Sequence, residues 1–487
     1  MKVLFACSEA YPLVKTGGLA DVCGALPGAL EEIGEDPRIL MPAYPEALDK
    51  AQSKGKAVPM GRVLGSYEAS LIPARMPGSQ SKLWLLDCPT LFARPGNPYT
   101  GPDGHDWPDN HLRFALLSRV AALIAVGGGM LEWQPDVVHA NDWQTGLIPA
   151  YLRRWEPWPT PTVFTVHNIN YKGLFGPEAM TPVGLAPEMF TIDGVEFNGA
   201  FSFLKAALAF SDRIVAVSPT YAREIRDTDL GGGFQGLLWT RREVLSGILN
   251  GADYHVWNPS HDPMMVKPYN ANRLDDKAAS KDDLQRALGL PVDSHAPVLG
   301  MVARMTEQKG MDLLVEALPG ILELGCQVAI VGSGKPWLED WAKMAARLYP
   351  DRVAFFGGYS EDMAHKVMAG ADMFLVPSRF EPCGLTQMYA LRYGTIPVVR
   401  RTGGLADTVV DASEAGGGTG FMFDHVLAWD LLAALRRAVD IYRRPKEWRA
   451  LQKRAMKQDF GWRQSAEAYV GLYRQVARRL REDNKNG

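Results

Sequence analysis

Two cations stand five residues apart in the stretch ARMTEQKGMDLL. Arg304 ends an apolar run, and Lys309 precedes a helical pattern that opens at Met311. A helix N-terminus carries unpaired N–H groups and a partial positive charge. Cations beside such an end make a diphosphate site. Two surface cations in ordinary ion pairs would read the same way, and spacing alone leaves both readings open. A carboxylate follows in PSRFEPCGLTQMYAL, where Glu381 lies in a loop after the apolar run MFLVPS. Pro382, Cys383 and Gly384 then lead to a helix expected to start near Leu385 and Thr386. A carboxylate with free helix N–H groups suits a sugar and its phosphate; the alternative is an acidic helix cap. Cys383 has no evident histidine partner and reads as a small buried residue, not a nucleophile.

Other motifs fall short. VGSGKPW is not a P-loop, because Pro336 follows the lysine and Ala329 stands where the leading glycine is needed. Asp227 and Asp229 read as a solvated turn, and the nine histidines show no zinc spacing. No metal and no cofactor is expected. The string TGGLAD occurs twice, as Thr16 to Asp21 after Lys15 and as Thr402 to Asp407 after Arg401. Each copy reads as a turn whose glycines stand where a side chain would obstruct, opening a helix with Asp near its first turn. The second copy is expected to be structural.

These residues need a frame. The pattern KVLFAC, loop, helix begins it, with Leu19, Val22, Cys23, Leu26, Leu30 and Ile33 on one helical face and Pro27 expected to distort it. DVVHAND, TVFTVHN, RIVAVSP, VLGMVAR, VAIVGSG, VAFFGG, MFLVPS and TIPVVR are further buried-strand runs, most of them followed by helical segments. Such alternation predicts parallel sheets covered on both faces. With 487 residues, more than one core is required. DYHVWNPSHDPMMVKPYN, polar and proline-rich, reads as a hinge region between two doubly wound α/β domains. The last helix carries a stripe of Tyr469, Val470, Tyr473, Val476, Ala477 and Leu480 that must be buried, and the final REDNKNG reads as frayed.

Open parallel sheets bind ligands beyond the carboxyl ends of their strands. The polar residues there are Lys15 to Asp21, Asn141 to Trp143 and His167 to Asn170 in the first half. In the second half they are Asn250, Arg304 to Lys309, Gly332 to Lys335, Tyr359, Arg379 to Thr386 and Arg401 to Asp407. A net charge of -3, with Lys and Arg spread along the chain, gives no electrostatic case for nucleic acid. The longest apolar region contains Arg119 and three glycines, so no membrane span is expected. Five scattered cysteines, with no Cys-x-x-Cys, read as free thiols in a reducing, cytoplasmic compartment.

The strings KTGGLADV, HANDWQTGL, TVHNINYKG, ILNGADYHVWNP, RMTEQKGMDLL, PSRFEPCGLTQMYALRYGTIPVVRRTGGLADTV and FGWRQSAEAY occur in that order. Together they resemble the bacterial glycogen synthases and plant starch synthases, from residue 1 to about 475. The resemblance implies a retaining glucosyltransferase of GT-B architecture, moving glucose from ADP-glucose to the nonreducing 4-hydroxyl of an α-1,4-glucan such as glycogen. It implies two Rossmann-like doubly wound domains facing across a cleft, residues 1–248 and 249–458, with a final helix in 459–487 crossing back to the first.

The family pattern also implies roles. Lys15, Gly17 and Gly18 would meet the donor's diphosphate and sugar, with Asp21 in the same loop. Arg304 and Lys309 would neutralise the diphosphate, and Glu381 would contact the glucosyl ring. Leu385 and Thr386 amides would hold the distal phosphate, with Cys383 and Gly384 in the same loop. Tyr359 would stack on adenine, and His167 would lie against the sugar with Asp142 and Asn250 nearby. Many related transferases carry a second Glu eight positions after the first; here that position is Tyr389. This argues against a carboxylate pair within the motif. A relative using UDP-glucose, a glucan phosphorylase and a noncatalytic glucan binder are the competing readings.

Overall fold

The computed structural model describes residues 1–79, 81–128, 131–153, 160–358 and 360–486, with side chains to Arg479. The chain divides into two compact units: Met1–Gly251 with Trp462–Gly487, and Ala252–Gly461.

The first unit is built on a nine-stranded sheet. Its strands lie in the order Leu245–Gly247, Arg213–Ala216, Thr162–Val166, Val137–Asn141, Lys2–Ala6, Asp36–Pro42, Lys82–Asp87, Tyr67–Arg75, Val58–Leu64. The first seven are parallel, and the last two add an antiparallel edge. Every residue of Val137–Asn141 and Thr162–Val166 is buried, as parallel strands covered on both faces require. The edge hairpin gave no such signal, because its half-exposed strands break the apolar run with Pro59, Gly61 and Arg62.

Helix Gly18–Glu32 runs through Pro27 and buries Leu19, Val22, Cys23, Leu26 and Leu30. Against it packs the terminal helix Trp462–Asn486. That helix buries Tyr469, Val470, Tyr473, Val476 and Ala477, while Leu480 lies outside the described side chains. Tyr473 fixes the helix by a 2.7 Å hydrogen bond between its hydroxyl and His139 Nδ1. The helical backbone continues to Asn486.

The second unit carries a six-stranded parallel sheet in the order Val353–Gly357, Gln327–Gly332, Val298–Val302, Met373–Val376, Ile396–Arg400, Phe421–Phe423. Leu299, Met301, Val328, Ile330, Met373, Leu375 and Val398 contribute to its core. The stretch read as a hinge region is corrected. Residues 253–270 belong to this unit and are packed into it, with Asp262 4% and Tyr269 1% exposed. Polar, proline-rich composition reports turns; it does not report that Asp262 and Tyr269 are buried.

Strand order locates the sites. In the first sheet, Lys2–Ala6 lies between Asp36–Pro42 and Val137–Asn141, so connections leave it in both directions. In the second, Val298–Val302 lies between Gln327–Gly332 and Met373–Val376 in the same way. Such switch points open a crevice at the strand carboxyl ends. All five cysteines are buried and free. Among the described residues no helix is long and apolar enough to cross a membrane.

Candidate active site

At the first unit's switch point, the chain leaving Lys2–Ala6 forms a buried anchor and an exposed loop. Glu9, 2% exposed, is the anchor. Its carboxylate accepts the Thr16 amide at 2.5 Å, the Thr16 hydroxyl at 2.9 Å and the Tyr99 hydroxyl at 3.1 Å. Burial pushes the Glu9 carboxyl up to about 6, against the hydrogen bonds from Thr16 and Tyr99. Lys15, Thr16, Gly17 and Gly18 project beyond it into solvent. Lys15 Nζ lies 2.7 Å from Asp21 Oδ1 and 5.3 Å from the Tyr11 ring centroid.

The neighbouring strand Val137–Asn141 ends at Asp142, whose backbone has φ 60° and ψ 178°. Only glycine adopts that region readily, so holding Asp there costs on the order of 1–3 kcal/mol. Its carboxylate accepts the Trp143 amide at 3.0 Å. Burial pushes the Asp142 carboxyl up to about 8, with the Trp143 hydrogen bond opposing and the Glu9 charge adding.

His167 follows the next strand. Asn141 Nδ2 donates to the carbonyls of Ala6 at 3.2 Å and His139 at 3.4 Å. That leaves Asn141 Oδ1 facing His167 Nε2 at 3.0 Å. An amide oxygen only accepts, so Nε2 carries the proton and Nδ1 is left as the acceptor. Burial pushes the ring down to about 3, so it is neutral near pH 7. Asn250, 5% exposed, has its Oδ1 unpartnered among the described residues.

At the second unit's switch point, two loops are stitched together. Lys309 Nζ lies 2.9 Å from Glu381 Oε1 and 2.6 Å from Oε2. Ser378 Oγ donates to Oε2 at 2.8 Å. Glu381 is therefore not a helix cap: helix Thr386–Arg392 takes no side-chain cap, and the carboxylate is spent on Lys309 and Ser378. Arg379 N donates to Gln308 O at 2.8 Å, and its guanidinium pairs with Asp312. Gly310, φ 72°, brings the Lys309 loop so close that a Cβ there would sit 2.1 Å from the Pro377 carbonyl oxygen. Arg304 is different. It is exposed, and among the described residues its side chain makes no hydrogen bond or ion pair.

Cys383 is buried in the same loop and Gly384 has φ 69°. Gln387 Nε2 ties this loop to the helix through the carbonyls of Cys383 at 3.1 Å and Gly384 at 2.9 Å. Leu385 and Thr386 open that helix. Tyr359 lies outside the described residues.

The two TGGLAD copies part company here. In the first, a Cβ on Gly17 or Gly18 would meet no atom within 4 Å, so the expected obstruction is absent from the exposed loop. In the second, Gly403 has φ 45°, and a Cβ there would lie 1.8 Å from the Glu381 carbonyl oxygen. A Cβ on Gly404 would lie 2.1 Å from the Cys383 carbonyl oxygen, and Gly404 N donates to Glu381 O at 3.1 Å. This turn supports the Glu381 loop from beneath. Its helix Gly403–Thr408 has no acid in the first turn, because Asp407 comes near its end.

Glu9, Tyr99 and Ser378 were not anticipated. Glu9 had a faint signal, a carboxylate just past a buried strand and one short loop before Lys15. Tyr99, ninety residues from Glu9, had none. Among the described residues, no group of three or more His, Cys, Asp or Glu side chains could hold a metal ion.

Two Rossmann-like units with polar constellations at both switch points have the fold of the GT-B glycosyltransferases. Residues 2–240 match the family model described as starch synthase catalytic domain, and 286–456 match glycosyl transferases group 1. The chain is 51% identical to a glycogen synthase of Rhodospirillum rubrum, over 97% of this chain and 98% of the relative. It is 50% identical to a glycogen synthase of Paramagnetospirillum magneticum, over 98% of each. Among solved structures it is similar to the catalytic domain of starch synthase IV from Arabidopsis thaliana bound to ADP and acarbose. That match has a TM-score of 0.87 and 31% identity, covering 98% of this chain and 99% of that one. A sucrose-phosphate synthase from Thermosynechococcus elongatus, TM-score 0.59 at 18% identity, shares the fold. The chain belongs to the bacterial glycogen synthase family.

Proposed function

We propose that the protein is a retaining glucosyltransferase that moves glucose from ADP-glucose to the nonreducing end of an α-1,4-glucan, elongating glycogen. The observation that carries this reading is the Lys309–Glu381 pair at the second unit's switch point, with the exposed cation Arg304 on the same loop as Lys309.

When the glycosidic bond to the nucleoside diphosphate breaks, negative charge gathers on the leaving phosphate and the sugar carbon becomes oxocarbenium-like. Arg304 and Lys309 supply preorganised positive charge for the phosphate. Leu385 and Thr386 offer amides to the distal phosphate, beside Cys383 and Gly384. Lys15, Gly17 and Gly18 complete the diphosphate contacts, with Asp21 holding Lys15. His167, neutral and accepting through Nδ1, takes a hydrogen bond from a sugar hydroxyl, with Asp142 and Asn250 nearby.

Glu381 faces the developing positive charge at the sugar. Its oxygens are already engaged by Lys309 and Ser378, which suits electrostatic contact and makes a poor nucleophile. Retention then follows from same-face attack by the acceptor hydroxyl within an ion pair, without a covalent intermediate. The five buried free thiols suit a reducing compartment, and the cytoplasm is the compartment proposed.

The test is release of ADP when the protein is incubated with ADP-glucose and glycogen, repeated with UDP-glucose and repeated in excess EDTA. Transfer from ADP-glucose that persists in EDTA is expected. Preference for UDP-glucose would reassign the donor, and loss of activity rescued by magnesium would reassign the phosphate chemistry. No release with either donor would leave a noncatalytic glucan binder.

A further inference from the structure

Eight positions after Glu381, Tyr389 is 8% exposed, and its ring stacks on Trp257 with centroids 4.4 Å apart at 5°. Trp257 also stacks on His365, at 3.8 Å and 14°. His365 is 1% exposed, and its Nδ1 lies 2.7 Å from Asp262 Oδ2. The same oxygen accepts the Tyr393 hydroxyl at 2.6 Å, and Asp262 Oδ1 accepts the Met264 amide at 2.9 Å. Glu361 Oε1 lies 3.9 Å from His365 Nε2.

Two carboxylates thus face one buried imidazole. Burial alone would pull its pKa down, but the Asp262 hydrogen bond and the charges of Asp262 and Glu361 outweigh it and push the ring up to about 9. Once protonated, the ring stacked on Trp257 is a cation over an indole face, an attractive contact. A second contact runs parallel: Arg392 lies 4.7 Å from the Tyr254 ring centroid. Tyr389 and Arg392 are three apart, so one side of helix Thr386–Arg392 meets both Trp257 and Tyr254. The helix in turn is tied to the Glu381 loop through Gln387, and by Tyr389 N donating to Leu385 O at 3.1 Å.

Resting on the glucosyl-transfer reading, we infer that Trp257, stacked on His365 and Tyr389, is a positioning residue that sets helix Thr386–Arg392 and through it the donor-binding loop Glu381–Thr386. It touches neither donor nor acceptor. Tyr389 takes the place of a second carboxylate not to do chemistry but to give this stack its ring.

The experiment compares the full chain with Trp257→Phe, Trp257→Leu and His365→Gln, reading ADP binding by calorimetry and transfer from ADP-glucose to glycogen. Small misplacements of a binding group cost one to two orders of magnitude. Trp257→Leu should weaken ADP binding and raise KM for ADP-glucose by about tenfold, with KM for glycogen unchanged. Trp257→Phe, which keeps a stacking ring, should stay within about twofold of the wild type. A protonated imidazole quenches indole emission. The fluorescence difference between wild type and Trp257→Phe should therefore titrate near pH 9, and His365→Gln should abolish that step. If Trp257→Leu lowers only the unfolding temperature, or Trp257→Phe is as impaired as Trp257→Leu, the inference is overturned. Failure of the wild type to bind ADP overturns it as well. A wild type that binds ADP but transfers no glucose refutes the transfer reading, and the order of ADP affinities still decides this one.

Discussion

Lys309 holds Glu381 by both carboxylate oxygens, at 2.9 and 2.6 Å, while Arg304 on the same loop is exposed and makes no side-chain bond among the described residues. The two cations should therefore fail differently when removed. Lys309→Ala leaves a buried carboxylate without its partner, a loss of about 1–3 kcal/mol once the partial exposure of Lys309 is allowed for. Arg304→Ala removes nothing the fold uses, and its urea midpoint should match the wild type. Both should lower kcat by roughly 10²–10³-fold, the effect of deleting one stabilising donor. Paired denaturation and steady-state kinetics check this. An Arg304→Ala enzyme that loses stability, or one whose KM alone changes, contradicts the assignment.

Glu9 should give the loop of residues 15–18 an acid limb. Its folded pKa, about 6, is raised above the ordinary 4.5. Folding therefore favours the protonated form, so this group's contribution to stability is full below pH 4.5 and is lost as pH rises through 6. The loop contact runs the other way, because an ionised carboxylate is the stronger acceptor for the Thr16 amide. KM for ADP-glucose should rise several-fold between pH 7 and 5. Glu9→Gln can still accept from the amide while donating to the two hydroxyls, so it should fold normally and flatten that limb. His139 and His167, both pushed down to about 3, do not titrate in this window. A limb that survives in Glu9→Gln would point to another group.

Most strands of the parallel core were legible, because buried parallel strands are continuous apolar runs, and polar residues at their ends mark the rim. Arg304, Lys309 and Glu381 were picked out as candidates that way. That Lys309 and Glu381 meet was not legible, since strand order decides which ends meet and no local pattern encodes it. The hairpin Val58–Arg75 escaped for the opposite reason: at a sheet edge its pattern is half polar. Trp257 and Asp262 were hidden by composition, their neighbours reading as a linker while they pack beneath helix Thr386–Arg392. The two glycine turns were the hardest case, because identical strings cannot reveal that one is exposed and the other is pressed against Glu381.

Asp142 stores strain that glycine would release. At φ 60° and ψ 178°, it occupies a region that costs a non-glycine residue about 1–3 kcal/mol. Asp142→Gly gives up the bond to the Trp143 amide and gains flexibility in the unfolded chain, together about 1–2 kcal/mol against it. The variant should be at least as stable as the wild type within about 0.5 kcal/mol, unlike most buried-site changes. Its transfer activity should fall at least tenfold if the carboxylate serves the sugar. A clear drop in the urea midpoint would show that the backbone is held there without cost and would remove strain from the account of this site.

The repeated turn supplies the sharpest contrast, because the same substitution can be made in both copies. Gly17 has an extended φ of −163°, and a Cβ there meets nothing within 4 Å. Gly17→Ala should leave stability unchanged or raise it by about 0.4–1 kcal/mol, through the less flexible unfolded chain. Any cost should appear only with donor bound, as a fall in kcat/KM for ADP-glucose. Gly403→Ala must push its Cβ into the Glu381 carbonyl, 1.8 Å away, from a backbone with φ 45°. It should lose more than about 2 kcal/mol and displace the Glu381 loop, lowering kcat with it. Urea midpoints and donor kinetics of the two variants, measured side by side, give the test. If Gly403→Ala keeps wild-type stability and kcat, the second turn does not support Glu381. If Gly17→Ala is the unstable one, the first loop is packed more tightly than its exposed geometry indicates.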